Sequence, residues 1–151
     1  MSSSIGKASV RNVVTVTRDS TVSEAALLMR TYHVGAVVMI EVDESGPRPV
    51  GILTDRDVAI AVVAAGLVPQ TLKVGEVVQR SATTVTQDAS CAEVVRLMSV
   101  NGVRRLPVVD ASGLLVGIVS LDDILMHLVT PLVAVADLAT RERRFETHTR
   151  A

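Results

Sequence analysis

The chain reads as an α/β protein made of two β-α-β-β-α units that are related by pseudo-symmetry, pack as one module, and are followed by a C-terminal helix. Three observations lead there. The string "PVGILTDRD", Pro49 to Asp57, returns as "LVGIVSLDD" at Leu115 to Asp123. A shift of 69 residues lays most of the first half over the second, changing to 66 after a loop that is three residues longer in the first copy. Each copy also steps between strand-like and helix-like spacing of its apolar residues in the same order.

The register is dense. Gly6 meets Gly75, Arg11 meets Arg80, and Thr15-Val16-Thr17 meets Thr84-Val85-Thr86. Asp19, Glu24, Leu28, Met29 and Val34 meet Asp88, Glu93, Leu97, Met98 and Val103, and Val50-Gly51-Ile52 meets Val116-Gly117-Ile118. The repeats are bounded at 5–66 and 74–129, with a C-terminal helix at 131–146 and a tail at 147–151.

Each copy opens with a short Thr/Val strand, Val14 to Thr17 or Thr84 to Thr86. Asp-Ser-Thr or Asp-Ala-Ser follows, whose hydroxyls suit a helix N-cap. The helix that follows carries Val22, Ala25, Ala26, Leu28 and Met29 on one face, and in the second copy Cys91, Val94, Val95, Leu97 and Met98. Two strands come next, Ala36 to Ile40 with Val50 to Leu53, then Leu106 to Val109 with Leu114 to Val119, each pair joined by Asp/Ser/Gly turn residues. A second helix opens at Thr54 or Ser120. "DVAIAVVAAG" and "DILMHLV" are apolar nearly all round, which predicts burial on more than one side and hence a symmetric homodimer. Beyond Pro131, read as a first helical position, Leu132, Val135, Leu138 and Ala139 share a face and Arg141, Arg143 and Arg144 make the end basic. That helix is expected to pack on the other subunit or to dock an effector protein.

Composition narrows the function. With 151 residues, 48% hydrophobic and 21% charged, the chain can bury one sizeable core or two halves sharing one. A formal charge of -1 makes no case for nucleic acid. No run of eighteen uninterrupted apolar residues predicts a membrane span, and "MSSSIGKASV" does not resemble a signal peptide, so the chain reads as cytoplasmic. Cys91 is the single cysteine and reads as a buried thiol; Met29 and Met98 read as core. His33, His127 and His148 share no ligand spacing, so no metal site is expected, and no catalytic arrangement is found. Tyr32 and Phe145 are the only aromatics, which counts against stacking platforms.

Two repeats that each close on Gly, two apolar residues, Ser or Thr, two more residues and Asp, with "VRRLPVVD" in the second, resemble a tandem CBS-domain pair (cystathionine-β-synthase domain), or Bateman module, of the stand-alone bacterial type. The resemblance spans Ser4 to Val129. It implies a non-catalytic regulatory module that binds adenosine-type ligands such as AMP, ADP, ATP or S-adenosylmethionine in clefts between the repeats, with no cofactor otherwise and with dimerisation into a disc. The alternative is a dimeric interaction or scaffold module that binds no ligand.

The residues of the closing motif admit two roles. Thr54 with Asp57, and Ser120 with Asp123, have the spacing of a hydroxyl N-cap and an acid at the third helical position. The resemblance makes the same pairs ribose holders. It implies one cleft of Thr54 and Asp57 facing Ala82, Thr83, Thr84, Val103, Arg104 and Arg105. The other joins Ser120 and Asp123 to Asn12, Val13, Val14, Val34, Gly35 and Ala36. Adenine would lie among the aliphatic Val14, Ile52, Val34, Val103 and Ile118, and Arg104 and Arg105 would approach phosphate unless they pair with acids such as Asp110. Because Gly35 and Ala36 stand opposite those arginines in register, the second cleft is expected to be roomier and indifferent to phosphate. Val38, where the second copy has Pro107, departs from the family pattern beside it.

Overall fold

The computed structural model describes residues 4–149, with side chains through Arg141. Two three-stranded sheets carry the fold. The first joins β1 (Thr15–Val16), β2 (Ala36–Asp43) and β3 (Gly46–Thr54); the second joins β4 (Val85–Thr86), β5 (Arg105–Val109) and β6 (Leu115–Ser120). In each sheet the short first strand runs parallel to the second, and the last two form an antiparallel hairpin. A register shift falls at Met39/Ile40 in one hairpin and at Val108/Val109 in the other, the same place in both copies.

The helix between first and second strands is α1 (Val22–Tyr32) or α4 (Cys91–Asn101). Thr21 caps α1 in a full capping box: its Oγ1 accepts from the Glu24 N–H at 3.1 Å, and Glu24 Oε2 accepts from the Thr21 N–H at 2.7 Å. Ser90 caps α4 in the same way on one side, with Oγ accepting from the Glu93 N–H at 3.2 Å. Both helices end on a left-handed residue, His33 and its register partner Gly102. Val22, Ala25 and Met29 are buried as the spacing predicts, with Val94 and Met98 in the second copy. Val95 departs, being 41% exposed, and Cys91 is half-buried against the second core rather than fully enclosed.

The helix after each hairpin differs between the copies. In the first, α2 (Asp55–Asp57) continues through Val58–Val63 in the wider π winding, so that the Ala64 N–H reaches the Ala59 carbonyl and the Leu67 N–H reaches that of Val62. In the second, α5 runs unbroken over Leu121–Thr149. The separate helix expected to begin at Pro131 is therefore a continuation: Pro131 lies inside α5, which also takes in 147–149 of the predicted tail. Residues 150 and 151 of that tail and the side chains of Arg143 and Arg144 lie outside what is described. A proline inside a helix removes one backbone donor and crowds the carbonyl four residues back, a disruption that a long helix can absorb as a kink without ending. Leu121–Arg141 is long and apolar enough to cross a membrane by length and composition, although no eighteen residues in it are uninterruptedly apolar.

How the repeats share their cores positions everything else. Ile5, in a helical turn at Ile5–Lys7, is fully buried among Val85, Val94, Met98, Leu106, Val108, Val119 and Ile124, all of the second repeat. Val74 and Val78, from α3 (Val74–Val77) and the residue after it, are buried among Val16, Ala25, Met29, Val37, Met39 and Leu53 of the first. Each repeat thus lends its opening segment to the other's core. The hydrogen bonds repeat the exchange: the Ile5 and Gly6 N–H groups donate to the Ala89 and Gln87 carbonyls, and those of Val74 and Gly75 to Ser20 and Arg18.

Candidate functional site

The closing strands β3 and β6 each carry the glycine of the repeated motif, and the exchange explains it. A Cβ on Gly51 would stand 2.5 Å from Val78 Cγ1 and 2.8 Å from Met39 Cε. On Gly117 it would stand 3.1 Å from both Ser9 Oγ and the Val10 carbonyl oxygen. Ser9 and Val78 are register partners. The glycines leave room for the segment arriving from the opposite repeat, which then runs on past the hydroxyl and acid that end the motif.

Those two residues form a closed local pair in both copies. Thr54 Oγ1 and the Thr54 N–H both donate to Asp57 Oδ2, at 2.7 and 2.9 Å, while Thr54 Oγ1 accepts from the Asp57 N–H at 3.1 Å. Ser120 and Asp123 repeat the arrangement at 2.7, 2.8 and 3.1 Å. The capping role is present, and it occupies only Oδ2 of each aspartate. Among the described residues Oδ1 has no protein partner, so a diol could be held without dismantling the cap.

One cavity of about 910 Å³ opens where α2 and its π-helical continuation face the segment arriving from α3 and the turn between α4 and β5. Thr54, Asp57, Ala82, Thr83, Val103, Arg104 and Arg105 line it, which brings together seven of the eight residues expected in the first cleft. Thr84 is the exception; it leads directly into β4 and does not border the space. Ile52, expected to face the base, also lines it. Sequence reasoning missed Asp55, Arg56, Ala61, Val77 to Ser81, Asn101, Gly102 and Leu106. The signal for Arg80 was its register match with Arg11, and Arg56 lies inside the motif itself.

The residues of the second predicted cleft lie at the pseudo-symmetric position. Val10 bridges to Ile118, two residues before Ser120, carrying Asn12 and Val13 over the end of β6. The Val14 carbonyl accepts from the Val38 N–H at 3.0 Å, a bond to β2 that a proline in place of Val38 could not donate. Val34 is exposed, Ala36 is buried and pairs with Thr54, and Ser120 pairs with Arg105. The room expected over Gly35 is not open. A Cβ there would meet Asp55 Oδ2 at 3.2 Å and Arg105 Nη2 at 3.3 Å, so those side chains use the space.

Charge around the cavity is weakly tethered. Arg104 pairs with Asp122 at 3.7 Å, rather than with Asp110, and both side chains are 72% exposed. Such a pair adds little stability. Asp110 instead accepts from the Ser112 and Leu114 N–H groups of its own hairpin turn. Among the described residues no three of His, Cys, Asp and Glu stand together as a metal would need.

Known proteins share this architecture. The CBS-domain profile matches twice, at residues 5–64 and 74–130. Hypoxic response protein 1 of Mycobacterium tuberculosis is 40% identical over 116 residues, 77% of this chain and 78% of that protein. A crystal structure of Hypoxic Response Protein I with two coordinated zinc ions superposes with a TM-score of 0.72 at 35% identity, covering 83% of this chain and 98% of that one. The CBS domain protein PAE2072 from Pyrobaculum aerophilum, complexed with AMP, gives 0.72 at 26% identity, covering 85% and 99%. With both repeats matched, their cores exchanged and the closing motif in place twice, this chain belongs to the CBS-domain family.

Proposed function

We propose that the protein is a non-catalytic regulatory module that binds an adenine nucleotide in the cavity beside Thr54 and Asp57. The observation that carries the reading is the makeup of that one space. It holds a hydroxyl and a carboxylate for ribose, the aliphatic Ile52 and Val103 for a base, and the guanidinium groups of Arg104 and Arg105 for phosphate. AMP bound by the related PAE2072 supports the ligand class. The pseudo-symmetric position at Ser120 and Asp123 offers a second ribose pair with Gly35 and Ala36 in register where the first cleft has two arginines; the Arg105 guanidinium that stands against Gly35 comes from the first cleft's wall, so this position would discriminate less among phosphates.

Ligand would be read out through a homodimer. Ile60 and Val63, on the π-helical continuation of α2, are 55% and 68% exposed, and Ala61 of the same element lines the cavity. A nucleotide at Asp57 therefore touches the element whose outer face a second copy would cover. Thermal denaturation with AMP, ADP, ATP, S-adenosylmethionine and GTP tests the binding step. A ligand at a hundred times its dissociation constant stabilises by about 2.7 kcal/mol, so a shift with adenine compounds and none with GTP is expected. No shift with any of them would favour the scaffold reading, in which Thr54 and Asp57 serve only as a cap.

A further inference from the structure

The cavity holds more positive charge than a monophosphate needs. Four arginines, Arg56, Arg80, Arg104 and Arg105, line it against the two acids Asp55 and Asp57. Among the described residues Arg104 has only its exposed contact with Asp122, and Arg56, Arg80 and Arg105 form no ion pair within 4.0 Å. Guanidinium groups left unpaired around one concave space repel one another, and an anion bridging them removes that repulsion while using their forked geometry. At about 910 Å³ the space is near the upper end of small-molecule sites and has room for more than a nucleoside monophosphate.

The repeat register shows the arrangement to be one-sided. The counterpart of Arg56 is Asp122, those of Arg104 and Arg105 are Gly35 and Ala36, and only Arg80 has a basic partner, Arg11. Arg105 also stands against Gly35 of the other repeat together with Asp55, which lies on the cavity wall. Arg56 and Arg80 come from the helix N-terminal turn and from the segment after α3, and both line the same cavity as Arg104.

We infer that this cavity selects nucleoside polyphosphates over monophosphates, Arg104 and Arg105 taking the first phosphate and Arg56 and Arg80 the distal ones. The inference rests on the nucleotide reading of the cleft and adds the phosphate chain as the quantity sensed. The pseudo-symmetric position, with Asp122 in place of Arg56, makes no such distinction.

Calorimetry decides it, with adenosine, AMP, ADP, ATP and inorganic triphosphate, in EDTA and about 100 mM salt so that screening is moderate. The proteins are the parent, the Arg56→Gln/Arg80→Gln double variant, and Arg11→Gln as the control on the other side. These arginines other than Arg105 are exposed, so the variants keep the fold, which circular dichroism verifies. The parent should bind ATP at least about tenfold tighter than AMP, and the double variant should lose that advantage while holding AMP within about twofold. Arg11→Gln should change none of these. Equal affinity of the parent for AMP and ATP, equal loss of both in the double variant, or the same loss in Arg11→Gln would overturn it. If adenosine and AMP bind and the phosphate chain adds nothing, the inference fails and the nucleotide reading stands. If inorganic triphosphate binds through Arg56 and Arg80 while no adenosine compound does, the nucleotide reading fails and the selection is for the polyphosphate alone.

Discussion

Gly51 shows how a single residue type follows from the architecture. Its backbone is extended within β3, so its conformation asks for no glycine, yet Val78 of the opposite repeat sits where a side chain would begin. Gly51→Ala should therefore overpack the shared core and cost about 1–3 kcal/mol in urea denaturation. A loss below about 0.5 kcal/mol would contradict the close crossing. The glycine was legible as a repeated motif residue, but its reason was not, because the clash comes from a residue of the other repeat. The capping role of Thr54 and Asp57 was legible from their spacing, and the structure adds that the cap consumes one carboxylate oxygen, leaving the other for the ribose role proposed above.

A second residue-scale consequence concerns acid. Asp43 is held below the ordinary carboxylate range, first by its hydrogen bond from Arg48 and then by the Ser45 N–H; Arg48 in turn donates to the Ser112 carbonyl at 2.6 Å, tying the two hairpin tips together. Glu24 is lowered as well, mainly by the Thr21 N–H of its capping box. A carboxyl depressed on folding contributes stability above its unfolded pKa, and the contribution is lost as pH falls through the folded value. Asp43→Asn should therefore be less stable than the parent at about pH 7, and the gap should close as pH falls below about 4. Denaturant titrations across that range measure it; a gap that widened in acid would reverse the sign.

At the scale of elements, strand and helix order was read correctly, because period-2 and period-3.6 patterns are local properties. The boundaries moved where pairing extends a strand beyond its apolar residues, as in β2, which continues through Glu41 to Asp43 against the Gly46 end of β3. The continuity of α5 was missed because proline is favoured at a first helical position and disfavoured inside a helix, so Pro131 pointed to a start where the helix in fact runs through it. Among the described residues two apolar faces are exposed. One is the π-helical turn with Ile60 and Val63, followed by Leu67 and Val68; the other is α5 with Leu125, Met126, Leu128, Val129, Leu132, Val133, Val135 and Leu138. Ile124 of α5 is buried in the second core, so the helix is anchored to the module at its beginning. Beyond that anchor the apolar stretch of α5 carries Asp137. In the dimer proposed above, a second copy covers these faces. Sedimentation should give a dimer for the parent, and Val63→Asp with Leu132→Asp should shift it toward monomer while each repeat stays folded. A parent that sediments as a monomer at all concentrations would refute the dimer.

For the whole molecule the exchange of opening segments is the organising event. Neither repeat encloses a core alone: the first needs Val74 and Val78, the second needs Ile5. The register told which residues correspond and was silent on which copy each segment packs upon, since correspondence within a duplicated chain is the same whether segments stay or cross. Crossing is also what builds the site, because it carries Arg80, Ala82 and Thr83 from the second repeat to Thr54 and Asp57 of the first. Arg104 and Arg105 arrive there from the turn before β5. The elements that line the cavity meet only in the assembled pair, so the binding proposed above depends on the integrity of the exchange.

The most direct test of the central claim is the affinity of the parent and of Asp57→Asn for AMP, measured by calorimetry on the full chain. Asparagine keeps an acceptor for the Thr54 N–H and removes the carboxylate, so the cap largely survives while the charged acceptor for a ribose diol is lost. The parent should bind AMP saturably and Asp57→Asn at least about tenfold more weakly, with little change in melting temperature without ligand. AMP bound equally by both proteins, or by neither, would contradict it.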